Sequence, residues 1–311
     1  MNYIQKNETM KKEKTLFQFM RNLICLLKEQ GKERTKETYQ STLNSFKRFT
    51  RESDVALNHI NCDLILKYEA YLKQKGLNKN SSSFYLRILR ATYNRAVEQG
   101  LILQQNPFKH VYTGIDETTK RAITIKHIRK IKNLELTPHS DIDFARDIFM
   151  FSFYTRGMSF IDIAYLEKKN LKNGVLSYRR RKTGKTLHIK WENCMQDIVD
   201  KHSIKDSLYL LNILKESDLN KRNRYKNTLT KINYNLKLIA QKIGVPLPIT
   251  MYVARHSWAS IAHNMQIPLS IISESMGHNS ETTTLVYLTT LDNSAIDQAN
   301  KKILKELISL S

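Results

Sequence analysis

The chain has 311 residues, which is long enough for two domains that each bury a core. Its hydrophobic fraction of 41% is ordinary for a folded protein and excludes a disordered chain. Lys and Arg number 51 against 29 Asp and Glu, a formal net charge of +22. This excess favours a polyanionic partner, with nucleic acid ahead of an acidic membrane surface, since no amphipathic helix has a purely basic polar face.

The positive charge is spread along the chain. Residues 1–112 carry 20 basic and 10 acidic residues, and residues 113–311 carry 31 and 19. Both parts of the chain are therefore expected to contact the polyanion. A neutral enzyme with a basic tail would show a different distribution.

Cysteine usage and hydropathy argue against three further kinds of protein: disulfide-rich, zinc-binding, and secreted or membrane-spanning proteins. Cys25, Cys62 and Cys194 form neither a CxxC motif nor a Cys/His cluster, so neither a disulfide framework nor a zinc site is expected. No run approaches 18 apolar residues, and the start MNYIQKNETMKKEK lacks the apolar core of a signal peptide. We expect a cytoplasmic protein with no membrane partner.

Residues 1–14 are polar and predict a flexible terminus, and four helical patterns follow in residues 15–106. The first ends at Gly31, the second starts at Thr35, the third runs from about Asn61 to Lys75, and the fourth has an N-cap among Ser81–Ser83. These helices predict a compact bundle. Its basic faces are either DNA contacts or merely solvated and include Arg87, Arg90 and Arg95.

A boundary follows at Asn106-Pro107, because proline disfavours helix at the preceding residue. Residues 107–120 predict a linker, and residues 121–311 predict a second domain. Its first helical patterns cover Ile125–Leu134 and Asp141–Tyr154, and the segment RGMSFIDIAYLEKKNL predicts a core helix.

The period then changes from helical to alternating. In GVLSYRRRKTGKTLHIKW, Leu176, Tyr178 and Arg180 alternate with the residues between them, and a Thr-Gly-Lys turn at residues 183–185 predicts a β-hairpin with a basic tip. Helical patterns follow at about 193–201, 206–215 and 228–242.

Residues 250–287 gather groups suited to phosphate chemistry. Arg255 and His256 lie on a predicted helix, a Gly277-His278 turn follows, and Tyr287 comes nine residues after that histidine. Guanidinium groups neutralise the non-bridging oxygens of a phosphodiester, and imidazoles add hydrogen bonds. A phenol attacks only once that charge is neutralised, and a lysine can protonate the leaving oxygen.

The segment YVARHSWAS…MGHNSETTTLVY resembles the catalytic core of the tyrosine recombinase (phage integrase) family, whose pattern is HxxRH, a Gly-His turn and a nucleophilic tyrosine nine residues on. Arg255, His278 and Tyr287 fall on that pattern, and RRRKTGK matches the family's hairpin with Lys182 as general acid. The segments ARHSWA and RGMSFIDIAYL resemble those of the Bacteroidetes-type branch of this family.

The resemblance implies a mainly α fold with a small β-hairpin or sheet in the catalytic domain. A helical core-binding (SAM-like) domain at 15–106 and the catalytic domain at 121–311 would form a clamp around DNA. The resemblance also implies a reaction without metal or cofactor.

The apolar residues of Ser294–Leu310 are spaced as in a C-terminal helix. This helix would pack either in its own domain or on a neighbouring protomer.

Two positions depart from the family pattern. Tyr252 stands at the first histidine and can donate one hydrogen bond but cannot act as an imidazole base. The register set by Asp162 places Ser159 where the family has its first arginine. Either Arg156, one turn earlier, or Arg146, on the preceding helix, would take that role, and proximity favours Arg156.

Each of these residues also has a purely structural interpretation. Tyr287 taken alone would be a half-buried tyrosine, His256 a core histidine that only supports the site, and His278 a helix C-cap. Lys182 would be a plain phosphate contact, with Lys185 exposed at the turn. The remaining hairpin cations would be DNA-backbone contacts or solvated charges, and they are Arg179, Arg180 and Arg181.

The sequence therefore predicts a site-specific DNA recombinase that integrates, excises or inverts an element through a 3′-phosphotyrosine. The expected partners are double-stranded DNA with specific recombination sites, three further copies in a homotetramer on DNA, and accessory DNA-bending proteins at the nucleoid. The little room before Thr15 for an arm-binding domain favours inversion or simple resolution. The alternatives are a type IB topoisomerase-like enzyme and a catalytically degenerate DNA-binding regulator.

Overall fold

A computed structural model describes residues 14–116 and 121–285, together with residues 288, 300, 301 and 304. The chain divides into two compact units, Met1–Thr118 and Thr119–Ser311. This division falls inside the segment 107–120, where the sequence predicts a linker. The flexible terminus predicted at residues 1–14 lies outside the described residues except for Lys14.

The first unit contains the four predicted helices. They are α1 (Leu16–Glu29), α2 (Glu33–Phe49), α3 (Cys62–Gln74) and α4 (Lys79–Glu98), with a 3₁₀ turn at Leu57–His59. Their apolar faces form one core, in which the rings of Phe46 and Tyr68 meet edge to face at 4.9 Å. The buried hydroxyl of Tyr68 donates to Ser45 Oγ at 2.8 Å, so this polar group is satisfied inside the bundle.

The start of α4 differs from the prediction. Asn78 is the N-cap, and its side chain accepts from the Ser81 amide at 2.8 Å. The predicted cap residues lie inside the helix, where Ser83 is buried and its hydroxyl donates to the carbonyl of Gly114 at 2.5 Å. Asparagine is as favourable an N-cap residue as serine, and with this cap the helix begins before the predicted serines.

The linker prediction is wrong for residues 107–116. Phe108 and Val111 are buried in the core of the first unit, and the ring of Phe108 packs edge to face on Tyr93. Asp116 is held by hydrogen bonds to the side chain of Asn80. Two apolar residues within a polar stretch are enough to bind this segment to the bundle.

The second unit is mainly helical with one small sheet. Its helices are α5 (Ile125–Lys132), α6 (Asp141–Tyr154), α7 (Phe160–Ala164), α8 (Asn193–His202), α9 (Lys221–Lys242), α10 (Met251–Asn264), α11 (Leu269–Ser275) and α12 (Glu281–Leu285). The antiparallel sheet has the order β1 (Leu171–Lys172), β2 (Val175–Arg179), β3 (Thr186–Lys190). The predicted hairpin is β2–β3, in which Tyr178 pairs with Leu187.

Helix α6 is the centre of this unit. Four consecutive residues, Ile148 to Phe151, are at most 2% exposed, because α8, α9 and α10 pack around the helix. The second half of α6, from residue 148 on, is almost entirely apolar. No helix among the described residues, however, is both long and apolar enough to cross a membrane.

The helix predicted at 206–215 is absent, since residues 203–220 run as turns and bends. Its apolar residues other than the exposed Leu208 are nonetheless buried, because the chain pairs with the segment after α7. The amide of Leu210 donates to the carbonyl of Leu166 at 2.8 Å, and the amide of Lys168 donates to the carbonyl of Leu208 at 2.9 Å. A short apolar run fits a buried extended segment as well as a helix. The core helix predicted at RGMSFIDIAYLEKKNL is likewise reduced to α7.

Candidate active site

Helix α10 carries Arg255 into the interior of the second unit, where it is 3% exposed. Its Nη1 donates to the carbonyl of Gly157 at 2.7 Å. Its Nη2 donates to the carbonyl of Met276 at 2.7 Å and to Nε2 of His278 at 2.8 Å. One guanidinium thus joins α10 to the α6–α7 turn and to the turn after α11.

The α6–α7 turn approaches α10 closely at Gly157. A Cβ on this residue would lie 2.8 Å from Cα of Arg255, and its φ of +72° favours glycine. The preceding Arg156 also has a positive φ, 60°. This left-handed turn ends α6 and places the partly exposed Arg156 next in sequence to the carbonyl that holds Arg255.

The hydrogen bonds of His278 fix its tautomer. Because a guanidinium can only donate, Nε2 of His278 accepts from Arg255, and the proton lies on Nδ1, which donates to Thr284 Oγ1 at 2.8 Å. Burial, followed by the charges of Arg255, Arg180 and Lys182, lowers the pKa of His278 from 6.5 to about 3. The imidazole is therefore neutral at physiological pH.

The hairpin tip packs onto the Gly277-His278 turn. Nη1 of Arg180 donates to the carbonyl of Gly277 at 2.7 Å, and Oγ1 of Thr183 donates to the same oxygen at 3.3 Å. Arg180 is only 4% exposed, unlike its exposed neighbour Arg179. A Cβ on Gly277 would lie 3.0 Å from Cδ1 of Leu187 and 3.2 Å from Cδ of Arg180, so the glycine permits this contact.

Lys182 lies in the exposed turn of the hairpin. Its positive charge contributes, after burial and the charges of Arg255 and Arg180, to lowering the pKa of His278. The other tip cations have local partners: Nε of Arg179 donates to the carbonyl of Gly184 at 2.9 Å, and Arg181 stacks over the ring of Tyr165 at 4.1 Å. Lys185 is half-buried.

Ser159 and Asp162 attach the hairpin to α7. The hydroxyl of Ser159 donates to Oδ2 of Asp162 at 2.6 Å, and Oδ1 of Asp162 accepts from the amide of Arg181 at 2.9 Å. Asp162 is 3% exposed. A buried carboxylate that accepts two hydrogen bonds is a firm anchor, so both residues stabilise the position of the turn that carries Lys182.

Arg146 belongs to a separate ionic network. Its guanidinium contacts Asp143 and Asp147 and donates to the backbone carbonyls of Lys132 and Leu134. Lys201 bonds the same two carboxylates at 2.5 and 2.8 Å. This network occupies the donors of Arg146 and leaves Arg156 as the better placed of the two proposed arginines.

The same two carboxylates and His202 are close enough together to hold a metal ion. Nε2 of His202 lies 2.7 Å from Oδ2 of Asp147. The ammonium of Lys201 and the guanidinium of Arg146 already neutralise both carboxylates, so this donor set fits an ionic network better than a metal.

Tyr252 lies 53% exposed on α10, with its ring edge to face with His256 at 4.6 Å. His256 is 8% exposed and lies on the buried side of the helix. Tyr287 lies outside the described residues, as does the C-terminal segment except for three helical positions, Asn300, Lys301 and Leu304. Leu288 packs on α10 and α11 in a small apolar cluster.

The basic residues predicted on the first unit lie on α4. Arg90 is exposed and donates to Oγ1 of Thr113 at 2.6 Å. Arg95 is half-buried over the ring of Tyr39 at 5.8 Å, and Arg87 is half-buried. Arg90 is thus the most accessible of the three, and their contact with DNA stays a prediction.

Residues 15–114 match the family described as the phage integrase SAM-like domain, which covers nearly all of the first unit. Among solved structures, a lambda integrase dimer bound to a COC′ core site is 16% identical and superposes with a TM-score of 0.67 over 88% of this chain and 77% of that one. The chain has the tyrosine recombinase fold. No curated protein sequence matches it.

The same fold is found in a lambda integrase tetramer bound to a Holliday junction, with 17% identity, a TM-score of 0.67, and 90% of this chain and 78% of that one covered. It is also found in the Tn1549 transposon integrase in complex with a circular intermediate DNA. That match has 17% identity and a TM-score of 0.67, and it covers 92% of this chain and 99% of the other. The mainly helical fold with a small sheet that the sequence predicts is thereby confirmed.

Two members of this candidate site were not predicted as such from the sequence. Thr284 fixes the tautomer of His278, and Arg180 joins the interior although the sequence grouped it with the solvated cations. A signal for Arg180 existed: it continues the alternation of Leu176 and Tyr178, which are both buried. Nothing local marks Thr284 among its neighbouring threonines.

Proposed function

We propose that this protein is a site-specific DNA recombinase that cuts and rejoins DNA through a 3′-phosphotyrosine. The observation that carries the proposal is the buried guanidinium of Arg255, bonded to a neutral His278 and accompanied by Arg180 and Lys182. Such a group of cations and hydrogen-bonding groups suits a phosphodiester whose charge grows in the transition state. Tyr287 follows His278 at the nucleophile's spacing.

In the proposed step, the phenol oxygen of Tyr287 bonds to the scissile phosphorus as the bond from phosphorus to the 5′-oxygen breaks. The phenol loses its proton, and Lys182 gives one to the leaving 5′-oxygen. Attack by another 5′-hydroxyl reverses the step. The phosphotyrosine keeps the phosphodiester's energy, and the side chains supply the charge, so the step uses no nucleotide and no metal.

The arginines and the imidazole have different parts in this step. Arg255 and Arg156 bind the non-bridging oxygens, and Tyr252 adds a hydrogen bond from its exposed hydroxyl. His278 accepts from Arg255 and donates to Thr284, so its first role is to orient the guanidinium. Because Lys182 is exposed while Asp162 anchors its turn, the ammonium has a defined position from which to deliver a proton.

The partner is double-stranded DNA with specific recombination sites. Support comes from the positive charge of both parts of the chain and from the fold shared with integrases solved on DNA, one of them as a tetramer on a Holliday junction. We propose a homotetramer on DNA in the cytoplasm, aided by accessory DNA-bending proteins. The narrower likeness to the Bacteroidetes-type branch stays a prediction.

The test is a nicked suicide substrate, in which the strand next to the scissile phosphate diffuses away after cleavage and traps the phosphotyrosine. The DNA flanking the gene supplies the site. Wild type should form a covalent adduct that resists denaturation, and Tyr287→Phe should form none while still binding the DNA. Tyr234→Phe, which changes an exposed tyrosine on α9, is the matched control and should react like wild type.

If the wild-type protein binds the site but forms no adduct, the proposal is overturned and a DNA-binding regulator is favoured. An adduct that relaxes supercoils without ever joining two sites into a junction product would favour a type IB topoisomerase-like enzyme.

A further inference from the structure

Arg180 presents a buried charge that its surroundings do not neutralise. It is 4% exposed, and within the described part of the chain no carboxylate lies at ion-pair distance from it. Its one side-chain hydrogen bond among these residues joins Nη1 to the carbonyl of Gly277. Nε is fully buried and has no hydrogen-bond partner in the part of the chain that the structure describes. A buried, unpaired guanidinium costs several kcal/mol, which favours an anion as its partner.

The geometry of the donors fits a phosphate. With Nη1 held by Gly277, the edge formed by Nε and Nη2 has no hydrogen-bond partner among the described residues. This edge is one of the two forks with which arginine binds two oxygens of a phosphate at once. A group needed only to hold one carbonyl would not require a planar fork with five donors.

The location is the active site itself. Arg180 bonds the residue that precedes His278, and its charge acts on that imidazole together with those of Arg255 and Lys182. Its neighbours on the strand differ: Arg179 is exposed and holds the hairpin turn, and Arg181 is exposed against Tyr165. Of three consecutive arginines, only the middle one enters the cluster.

We propose that Arg180 is a catalytic residue that binds the scissile phosphate together with Arg255. It supplies a positive charge that Tyr252, at the first histidine of the family pattern, cannot carry. The inference rests on the proposed function, because it names a further group that touches the same phosphodiester.

The experiment compares Arg180→Gln and Arg180→Lys with Arg224→Gln, an equivalent change at an exposed arginine of α9. Each variant is given saturating nicked substrate, once with a normal scissile phosphate and once with a methylphosphonate, which lacks one negative oxygen. On the phosphate, Arg180→Gln should form adduct about 100-fold more slowly than wild type, and Arg224→Gln should stay within about threefold. Arg180→Lys, which keeps the charge without the fork, should lie between them.

The methylphosphonate separates phosphate binding from support of the Gly277 turn. With less charge to neutralise, the defect of Arg180→Gln relative to wild type should shrink to under about tenfold. An equal defect on both substrates would overturn the proposal and leave Arg180 a support for Gly277. The proposal would also be overturned if Arg180→Gln formed adduct as fast as Arg224→Gln.

Folding and the proposed function are checked separately. Thermal unfolding and DNA affinity are measured for every variant, and Arg180→Lys carries the comparison if the glutamine variant does not fold. If the wild-type protein forms adduct and the Arg180 variants form it at the same rate, only this inference is refuted. Wild type that forms no adduct refutes the proposed function, and this inference with it.

Discussion

Nη2 of Arg255 donates to Nε2 of His278 at 2.8 Å, across 23 positions of sequence. The bond has two consequences. It makes Nε2 an acceptor, which puts the imidazole proton on Nδ1, and it gives the buried guanidinium an oriented partner on a different structural element. Each residue therefore depends on the other for its place in the candidate active site, and the predictions below start from this pair.

Arg255→Lys should lower the rate of adduct formation by at least about 100-fold and the free energy of unfolding by about 1–3 kcal/mol. A lysine has no planar fork and cannot serve the carbonyls of Gly157 and Met276 together with His278. Suicide-substrate kinetics and urea unfolding measure the two effects. Arg224→Lys, at an exposed position of α9, is the control and should change neither.

His278→Gln should make the protein less sensitive to acid. In the folded state the pKa of His278 is about 3, below its unfolded value of 6.5, so the unfolded state binds the proton more readily. The contribution of the neutral imidazole to the free energy of unfolding is complete above pH 6.5. It is lost as pH falls from there towards 3, at about 1.4 kcal/mol per pH unit. Urea unfolding at pH 7, 6 and 5 measures this slope.

The difference in unfolding free energy between wild type and His278→Gln should therefore narrow as pH falls. Parallel curves for the two proteins would show that His278 is not held neutral in the folded state.

Arg156→Ala and Arg146→Ala should have opposite effects. Arg156 makes no hydrogen bond through its side chain within residues 121–285, so its loss should change stability by no more than about 0.5 kcal/mol while reducing adduct formation at least about 100-fold. Arg146 neutralises Asp143 and Asp147, so its loss should cost about 3 kcal/mol. Calorimetry and single-turnover cleavage measure each variant.

In folded Arg146→Ala protein, cleavage should proceed near the wild-type rate. If instead that variant is stable but inactive and Arg156→Ala cleaves normally, the first arginine's role belongs to Arg146.

Asp162→Ala should loosen the hairpin tip. The change leaves the amide of Arg181 without its acceptor and frees the turn that carries Lys182. Hydrogen exchange at the Arg181 amide should accelerate, and adduct formation should slow about tenfold or more as the ammonium loses its position. Ser159→Ala removes only the hydroxyl partner of Asp162 and should have the smaller effect on both measurements.

Local patterns predicted most of the elements. Helix α6 has the predicted bounds Asp141–Tyr154, and the β2–β3 hairpin follows from alternation and a glycine turn. The prediction of a helix at 206–215 failed for a clear reason. The five buried apolar residues there suit either a helix or an extended segment, and their partner is the chain at 166–168, which no local pattern reveals. The same applies to residues 107–116, which two buried side chains bind to the first unit.

The sequence by itself determined the two-part organisation, the basic character of both parts and the order Arg255, His278, Tyr287, because spacing and composition are local properties. Only the tertiary structure decided which other arginines join them. The Arg255–Gly157 bond spans 98 positions and the Arg180–Gly277 bond spans 97. Arg146, Arg156 and Arg180 are chemically identical, but the packing of distant elements gave them different surroundings. Arg146 joined an ionic network, Arg156 came to precede the carbonyl that holds Arg255, and Arg180 was buried without a carboxylate partner among the described residues.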